Sequence, residues 1–257
     1  MNTCDPRRLI SLDGQHALVT GAAGTIGSAV SRLFAAAGAS VTLHCHGNIK
    51  RAEELAGDLQ AAGSAVSILQ ADLCDEQSVC NLFEQAQNLL GPLDILVNNA
   101  GIFTVSLQEE LTASQWDEVF SLNARGVFLC CREASSMMKT SGGSIIMISS
   151  INAHHPGFGG TAHYDAAKGA VDAYTRSLAA ELASHSIRVN AVAPGLVDAP
   201  RLREHASDLA ESVLQRTPLG RLVTPDDVAG AVLFLASPAS ACITGTTMIV
   251  DGGYLLT

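Results

Sequence analysis

The chain has 257 residues, 47% hydrophobic and only 4% aromatic, with a mean hydropathy of +0.26. That is enough apolar material for the core of one large α/β unit, with some left for contacts between subunits. Twenty-five acidic against 15 basic residues leave a net charge of −10, which argues against general nucleic-acid or membrane-surface binding because both partners are anionic.

In chain order, apolar runs near 16–20, 40–45, 65–70, 93–98, 143–149, 187–192 and 246–250 alternate with helical patterns near 25–37, 50–62, 76–90, 114–138, 162–184, 205–215 and 225–236. Runs such as "SIIMIS" and "LDILVN" are apolar throughout, which marks parallel strands covered on both faces. Repeated β–α units of this kind predict a single-domain, doubly wound parallel sheet of about seven strands with helices on both faces. Ligand is then expected at the carboxyl ends of the strands. No repeat, low-complexity tract or linker divides the chain. The longest break in the rhythm runs from Pro194 to Pro225. Segment 196–216 within it is either a cover over a pocket or a plain surface loop.

The start, "MNTCDPRRLISLDGQ", lacks the apolar run of a signal peptide, and no stretch approaches a membrane span. Cysteines 4, 45, 74, 80, 130, 131 and 242 show neither CxxC nor zinc spacing. The expectation is a reduced, cytoplasmic chain.

The loop "TGAAGTIG", Thr20 to Gly27, joins the first strand to the first helix. Gly21, Gly24 and Gly27 permit a tight bend whose backbone N–H groups, with those of Thr25 and Ile26, can meet a pyrophosphate at the helix N-terminus. Thr25 stands where such a loop usually carries glycine, and its hydroxyl can cap the helix or donate to a phosphate oxygen. The second strand ends in "VTLHCHGNIKRAEEL". Cys45 occupies the position where an acid would bind the adenosine ribose and repel a 2′-phosphate. With His46, Asn48, Lys50 and Arg51 following, the segment favours NADP, NAD remaining possible. The alternative is that these are only the solvated start of a helix.

"GGSIIMISS" ends a strand at Ser149 and Ser150, where a hydroxyl can bind a substrate oxygen as its charge changes. "HYDAAKGAV" then places Tyr164 and Lys168 on one helix face. An ammonium about 4 Å from a phenol, at an effective dielectric of ~20, favours phenolate by about 4 kcal/mol, or ~3 pKa units. Such a tyrosine can serve as acid and base near neutral pH. A surface helix pair is the plainer alternative.

With these motifs in this order, nearly the whole chain resembles the short-chain dehydrogenase/reductase family. The match runs from "TGAAGTIG" through "ADL" at 71–73, "NNAG" at 98–101, Asn123 in "SLNARG", Ser150, "YDAAK" and "NAVAPG" at 190–195 to the closing "DGG". The resemblance implies a Rossmann-type oxidoreductase that passes hydride between a nicotinamide cofactor and a small secondary alcohol or ketone. Tyr164 would exchange the proton, Ser150 bind the reacting oxygen, and Lys168 lower the tyrosine pKa and hold the nicotinamide ribose. Asn123 would hold a water linking the lysine to solvent. Asp72 and Leu73 would flank adenine; Asn99, Ala100 and Gly101 the adenosine-side ribose and chain; Pro194, Gly195 and Val197 the nicotinamide. A homotetramer or homodimer is implied, packed through the helices near 114–138 and 162–184. The alternative functions are a dinucleotide-binding sensor without turnover and, further behind, a nucleotide-free lyase, which would carry arginine in place of Lys168.

Three positions depart from that family's pattern: Thr25, Ala199 in place of a common threonine, and a Ser150–Tyr164 interval one residue longer than the commonest. Ser149 is the alternate serine. His154, His155, Phe158 and His163 precede Tyr164 and are read as pocket walls or surface, with no metal expected because their spacing fits no usual ligand set. Arg201, Arg203 and His205 could bind an acid group or open a solvated helix.

Overall fold

The computed structural model describes residues 6–199, 202 and 207–257. All seven expected strands form: β1 (His16–Val19), β2 (Ser40–Cys45), β3 (Val66–Gln70), β4 (Ile95–Asn98), β5 (Gly143–Ile148), β6 (Ile187–Pro194) and β7 (Thr247–Val250). They make one sheet in the order β3-β2-β1-β4-β5-β6-β7, with every neighbouring pair parallel. The helices are α1 (Pro6–Leu9), α2 (Thr25–Ala36), α3 (Ile49–Ala61), α4 (Glu76–Leu90), α5 (Ala113–Phe120), α6 (Val127–Met138), α7 (Ala162–Leu182), α8 (Ser207–Arg216) and α9 (Pro225–Ala236).

The pleat explains the unbroken apolar runs, because successive side chains enter different cores. Ala17, Val19, Ile95, Val97, Ile146 and Ile148 meet α2, α3 and α9 on one face. Leu18, Leu96, Ile145 and Met147 meet α4, α6 and α7 on the other. After β3 the chain returns to pair β4 on the opposite side of β1 from β2. That reversal opens a crevice at the carboxyl ends of β1 and β4, where such sheets bind ligands.

One expected element is corrected. The helix read over 114–138 is two helices joined by a π-helical turn, Ser121–Gly126. Its cause lies across the chain: the Asn123 amide donates to the Ile102 carbonyl (2.8 Å) and its Oδ1 accepts from the Ile102 N–H (2.9 Å). The bulge lets Asn123 reach the segment after β4, and such turns concentrate at functional sites.

Within 196–216, Val197 pairs with Val223 and the Asp198 N–H donates to the Val223 carbonyl at 2.7 Å. Arg216, ending α8, donates to the Tyr254 hydroxyl and the Thr257 carbonyl, each at 2.8 Å. Arg201, Arg203 and His205 lie outside the described residues. Among the described residues, no helix is long and apolar enough to cross a membrane.

Candidate active site

The glycine turn is built by close approach. Gly21 adopts φ +62°, and a Cβ on Gly27 would lie 2.4 Å from the Gly21 carbonyl oxygen. Asn99 closes the turn from β4: its amide donates to the carbonyls of Thr20 (2.9 Å) and Gly21 (3.1 Å). Thr20 Oγ1 in turn accepts from the N–H groups of Asn99 and Ala100.

A residue that sequence reasoning missed completes this frame. His44, buried in β2, accepts the Gly21 N–H at Nδ1 (3.1 Å) and lies 3.1 Å from the Ala71 carbonyl at Nε2. Only the neutral Nε2–H tautomer satisfies both contacts. Burial pushes its pKa down to about 4, outweighing the opposing effect of the Ala71 carbonyl. The available signal was Ser40, Thr42 and His44, three polar residues on one face of a strand whose other face is Val41, Leu43 and Cys45.

Four other helices start with side-chain caps: Asn48, Asp75, Thr112 and Thr224 accept first-turn N–H groups of α3, α4, α5 and α9. The cap of α2 is Gly24, which offers no side chain, so its leading amides face the crevice uncapped, as an anion site requires. The cavity there is about 700 Å³, within the range of about 300–1,000 Å³ usual for ligand pockets. Gly21, Gly24, Thr25, Ile26, His46, Asn48, Asp72, Leu73, Asn99, Ala100, Gly101, Val197 and Ala199 all line it. Gly27 does not; it packs beneath the turn. Cys45 ends β2 as a buried thiol on the cavity wall, with His46, Asn48 and Arg51 beside it.

A second cavity of about 200 Å³ holds Ser150, Tyr164, Lys168, Pro194 and Gly195. Ile26, Asn99, Gly101, Ile102 and Val197 line both cavities, so the two adjoin. Ser150 Oγ accepts the Asn152 N–H at 3.2 Å, capping the short turn Ile151–Ala153, and its hydroxyl acts to lower the pKa of Tyr164. Ser149 instead turns its hydroxyl to the Lys168 carbonyl (3.5 Å), which separates the roles of the two serines. Lys168 Nζ sits 5.7 Å from the Tyr164 ring centroid and donates to the Ile148 carbonyl at 2.7 Å. Buried Asn123 lines neither cavity, but a Cβ on Gly101 would stand 3.0 Å from its Oδ1 and 3.7 Å from Lys168 Nζ.

Electrostatics differ from the expectation of a phenol made acidic by its lysine. Burial pushes Tyr164 up to about 12; the Ser150 hydrogen bond opposes this and Asp165 adds to it. Burial also brings Lys168 down to about 8, against the attraction of Asp172 one turn on. For both groups, removal from water is the largest influence.

Asp165 organises the loop before Tyr164. Its carboxylate accepts from the Asn152 amide (2.7 Å), the Gly157 N–H (3.0 Å) and the Thr161 hydroxyl (3.0 Å). The three histidines go separate ways: His154 to Asp172 (2.9 Å), His155 to the Pro156 carbonyl and His163 to Thr104. Among the described residues no group of three or more His, Cys, Asp or Glu is placed to hold a metal.

Comparison with known proteins agrees with this architecture. A family model described as enoyl-(acyl carrier protein) reductase matches residues 21–255. The chain is 39% identical over 250 residues to a 3-oxoacyl-[acyl-carrier-protein] reductase of a Synechocystis strain, covering 96% of this chain and 100% of that one. It is 40% identical over 241 residues to the cis-4-hydroxycyclohexanecarboxylate dehydrogenase of Sinomonas cyclohexanicum, covering 93% and 95%. A gluconate 5-dehydrogenase from Burkholderia cenocepacia, solved with NADP and tartrate, superposes with a TM-score of 0.92 at 31% identity, covering 98% and 99%. The protein is thus an NAD(P)-dependent oxidoreductase on a Rossmann-type sheet. It belongs to the short-chain dehydrogenase/reductase family.

Proposed function

We propose that the protein interconverts a secondary alcohol and a ketone, with NADP preferred and Tyr164 as acid and base. The supporting observation is that the cavity of the glycine turn adjoins the cavity of Ser150, Tyr164 and Lys168, with five residues lining both. The turn of Gly21, Gly24, Thr25 and Ile26 would hold the pyrophosphate, Asp72 and Leu73 the adenine, and Asn99 to Gly101 the adenosine-side ribose and chain. Pro194, Gly195 and Val197 would flank the nicotinamide, which when bound supplies hydride for reduction or accepts it in oxidation.

In reduction the Tyr164 hydroxyl gives its proton to the carbonyl oxygen, and in oxidation the phenolate takes it back. Ser150 donates to the same oxygen as charge develops there. The phenolate left in a buried site needs a cation, and Lys168, one turn away, supplies it. Asn123 would hold the water through which the lysine exchanges protons with solvent.

NADP preference is supported by the Cys45 thiol where an acid would repel a 2′-phosphate, and by His46, Asn48 and Arg51 beside it. A homodimer or homotetramer is supported by Phe128 on α6, 42% exposed, and by the Trp116–Phe120 stack on α5. The free thiols fit a cytoplasmic setting. The reading is tested by titrating NADPH and NADH against the protein by cofactor emission, then following nicotinamide absorbance with a panel of ketones and secondary alcohols. NADPH should bind more tightly. Tighter NADH overturns the preference; no turnover with either cofactor overturns the reaction.

A further inference from the structure

Phe103 lines the small cavity with Ser150, Tyr164 and Lys168. Its ring meets the Tyr164 ring edge-on, with centroids 4.9 Å apart at 85°. Phe158 meets Phe103 in turn at 5.9 Å and 66°. We infer that Phe103 and Phe158 form an aromatic subsite beside Tyr164, and that the substrate is an uncharged ketone or secondary alcohol bearing an aryl group next to the reacting carbon. This deepens the proposed function and rests on it.

The two rings are held in place from both sides. Thr104 hydrogen-bonds His163 at 2.7 Å, tying the residue after Phe103 to the residue before Tyr164. The Ser106 N–H donates to the Gly160 carbonyl at 2.9 Å, and Thr161 Oγ1 lies 2.9 Å from the Phe158 carbonyl, its single hydrogen shared between that oxygen and Asp165. Yet Phe103 is 49% and Phe158 43% exposed. Rigid aromatic faces turned to solvent beside a reactive hydroxyl gain free energy when apolar surface covers them, and an edge-to-face pair favours another ring.

The charges agree with that class. Among the described residues lining this cavity, Lys168 is the one basic side chain, and its ammonium is engaged by the Ile148 carbonyl. A carboxylate beside the reacting carbon would lose hydration there without a cation of its own.

The test compares acetophenone, cyclohexanone and 3-oxobutanoate with NADPH and the full-length protein. The kcat/KM for acetophenone should exceed that for 3-oxobutanoate at least about tenfold, and Phe103→Ala should lower the acetophenone value about tenfold while changing cyclohexanone less. Saturation-transfer NMR from the protein to the acetophenone ring protons should weaken in the same variant. Should Phe103→Ala fail to fold, Phe158→Ala at the exposed rim carries the same comparison. Equal or better use of 3-oxobutanoate, or an acetophenone rate untouched by either substitution, overturns the subsite and leaves the reaction standing. Ring-proton transfer without turnover of any ketone or alcohol supports the subsite and overturns the reaction.

Discussion

The glycine turn and the loop before Tyr164 lie at the same edge of one sheet but place their chemistry differently. At the turn the groups proposed to hold the cofactor are backbone amides, and the side chains of His44 and Asn99 hold that backbone. At the loop the groups proposed to react are side chains, and Asp165 gathers backbone and side-chain donors that hold the segment between Ser150 and Tyr164. A backbone site should tolerate changes in side chains that face outward and fail when its packing is altered. A side-chain site should fail with loss of a single atom.

The sharpest expected break is therefore Tyr164→Phe, which deletes one oxygen from the smaller cavity, where the reaction is proposed to occur. A positioned acid or base contributes roughly 10²–10⁴-fold, so steady-state kcat should fall by about that factor, while NADPH titration shows binding retained. Burial also gives this site a pH signature. The unfolded chain holds Lys168's proton up to its ordinary 10.5, the folded chain only to about 8. Stability therefore rises with pH between those values. Tyr164 behaves oppositely: the folded phenol keeps its proton to about 12 against an ordinary 10.0, so stability falls with pH across that window. In urea-denaturation midpoints measured against pH, Lys168→Met should remove the rise and Tyr164→Phe the fall.

On the backbone side, packing is the vulnerable element. Gly27→Ala brings a Cβ to 2.4 Å from the Gly21 carbonyl, so the helix must move away from the turn. The melting temperature should drop by an amount equivalent to about 1–3 kcal/mol, and NADPH binding should weaken by more than about tenfold. His44→Ala is gentler. It leaves the Gly21 N–H and the Ala71 carbonyl without their partner, at about 1–3 kcal/mol, and NADPH affinity should fall about tenfold with kcat nearly unchanged. A fall in kcat with affinity intact would place His44 outside the turn's support.

The same contrast governs what could be read from the chain. The sheet was legible because the pleat divides each apolar run between two cores, and Ser150, Tyr164 and Lys168 were legible as strand-end and helix-spaced positions. His44 was not, because its partners Gly21 and Ala71 lie 23 and 27 residues away. The π-turn was hidden for the same reason, as it depends on Asn123 finding Ile102 across 21 residues. The burial that raises the pKa of Tyr164 was not legible either, because spacing displays a neighbouring charge but not removal from water.

The smallest effect is expected at Thr25, the most conspicuous departure in the phosphate turn. Its side chain is exposed on the cavity wall, at the first residue of α2, so nothing in the frame made by Gly21, His44 and Asn99 rests on it. Thr25→Gly relieves no contact in the turn, but it adds a flexible residue to a helix start, at a cost of about 0.5–1 kcal/mol. The melting temperature should fall slightly, and the NADPH dissociation constant should change less than about threefold. A much larger loss of affinity would mean that the Thr25 hydroxyl itself binds phosphate, and that this turn, unlike the rest of its backbone design, depends on a side chain.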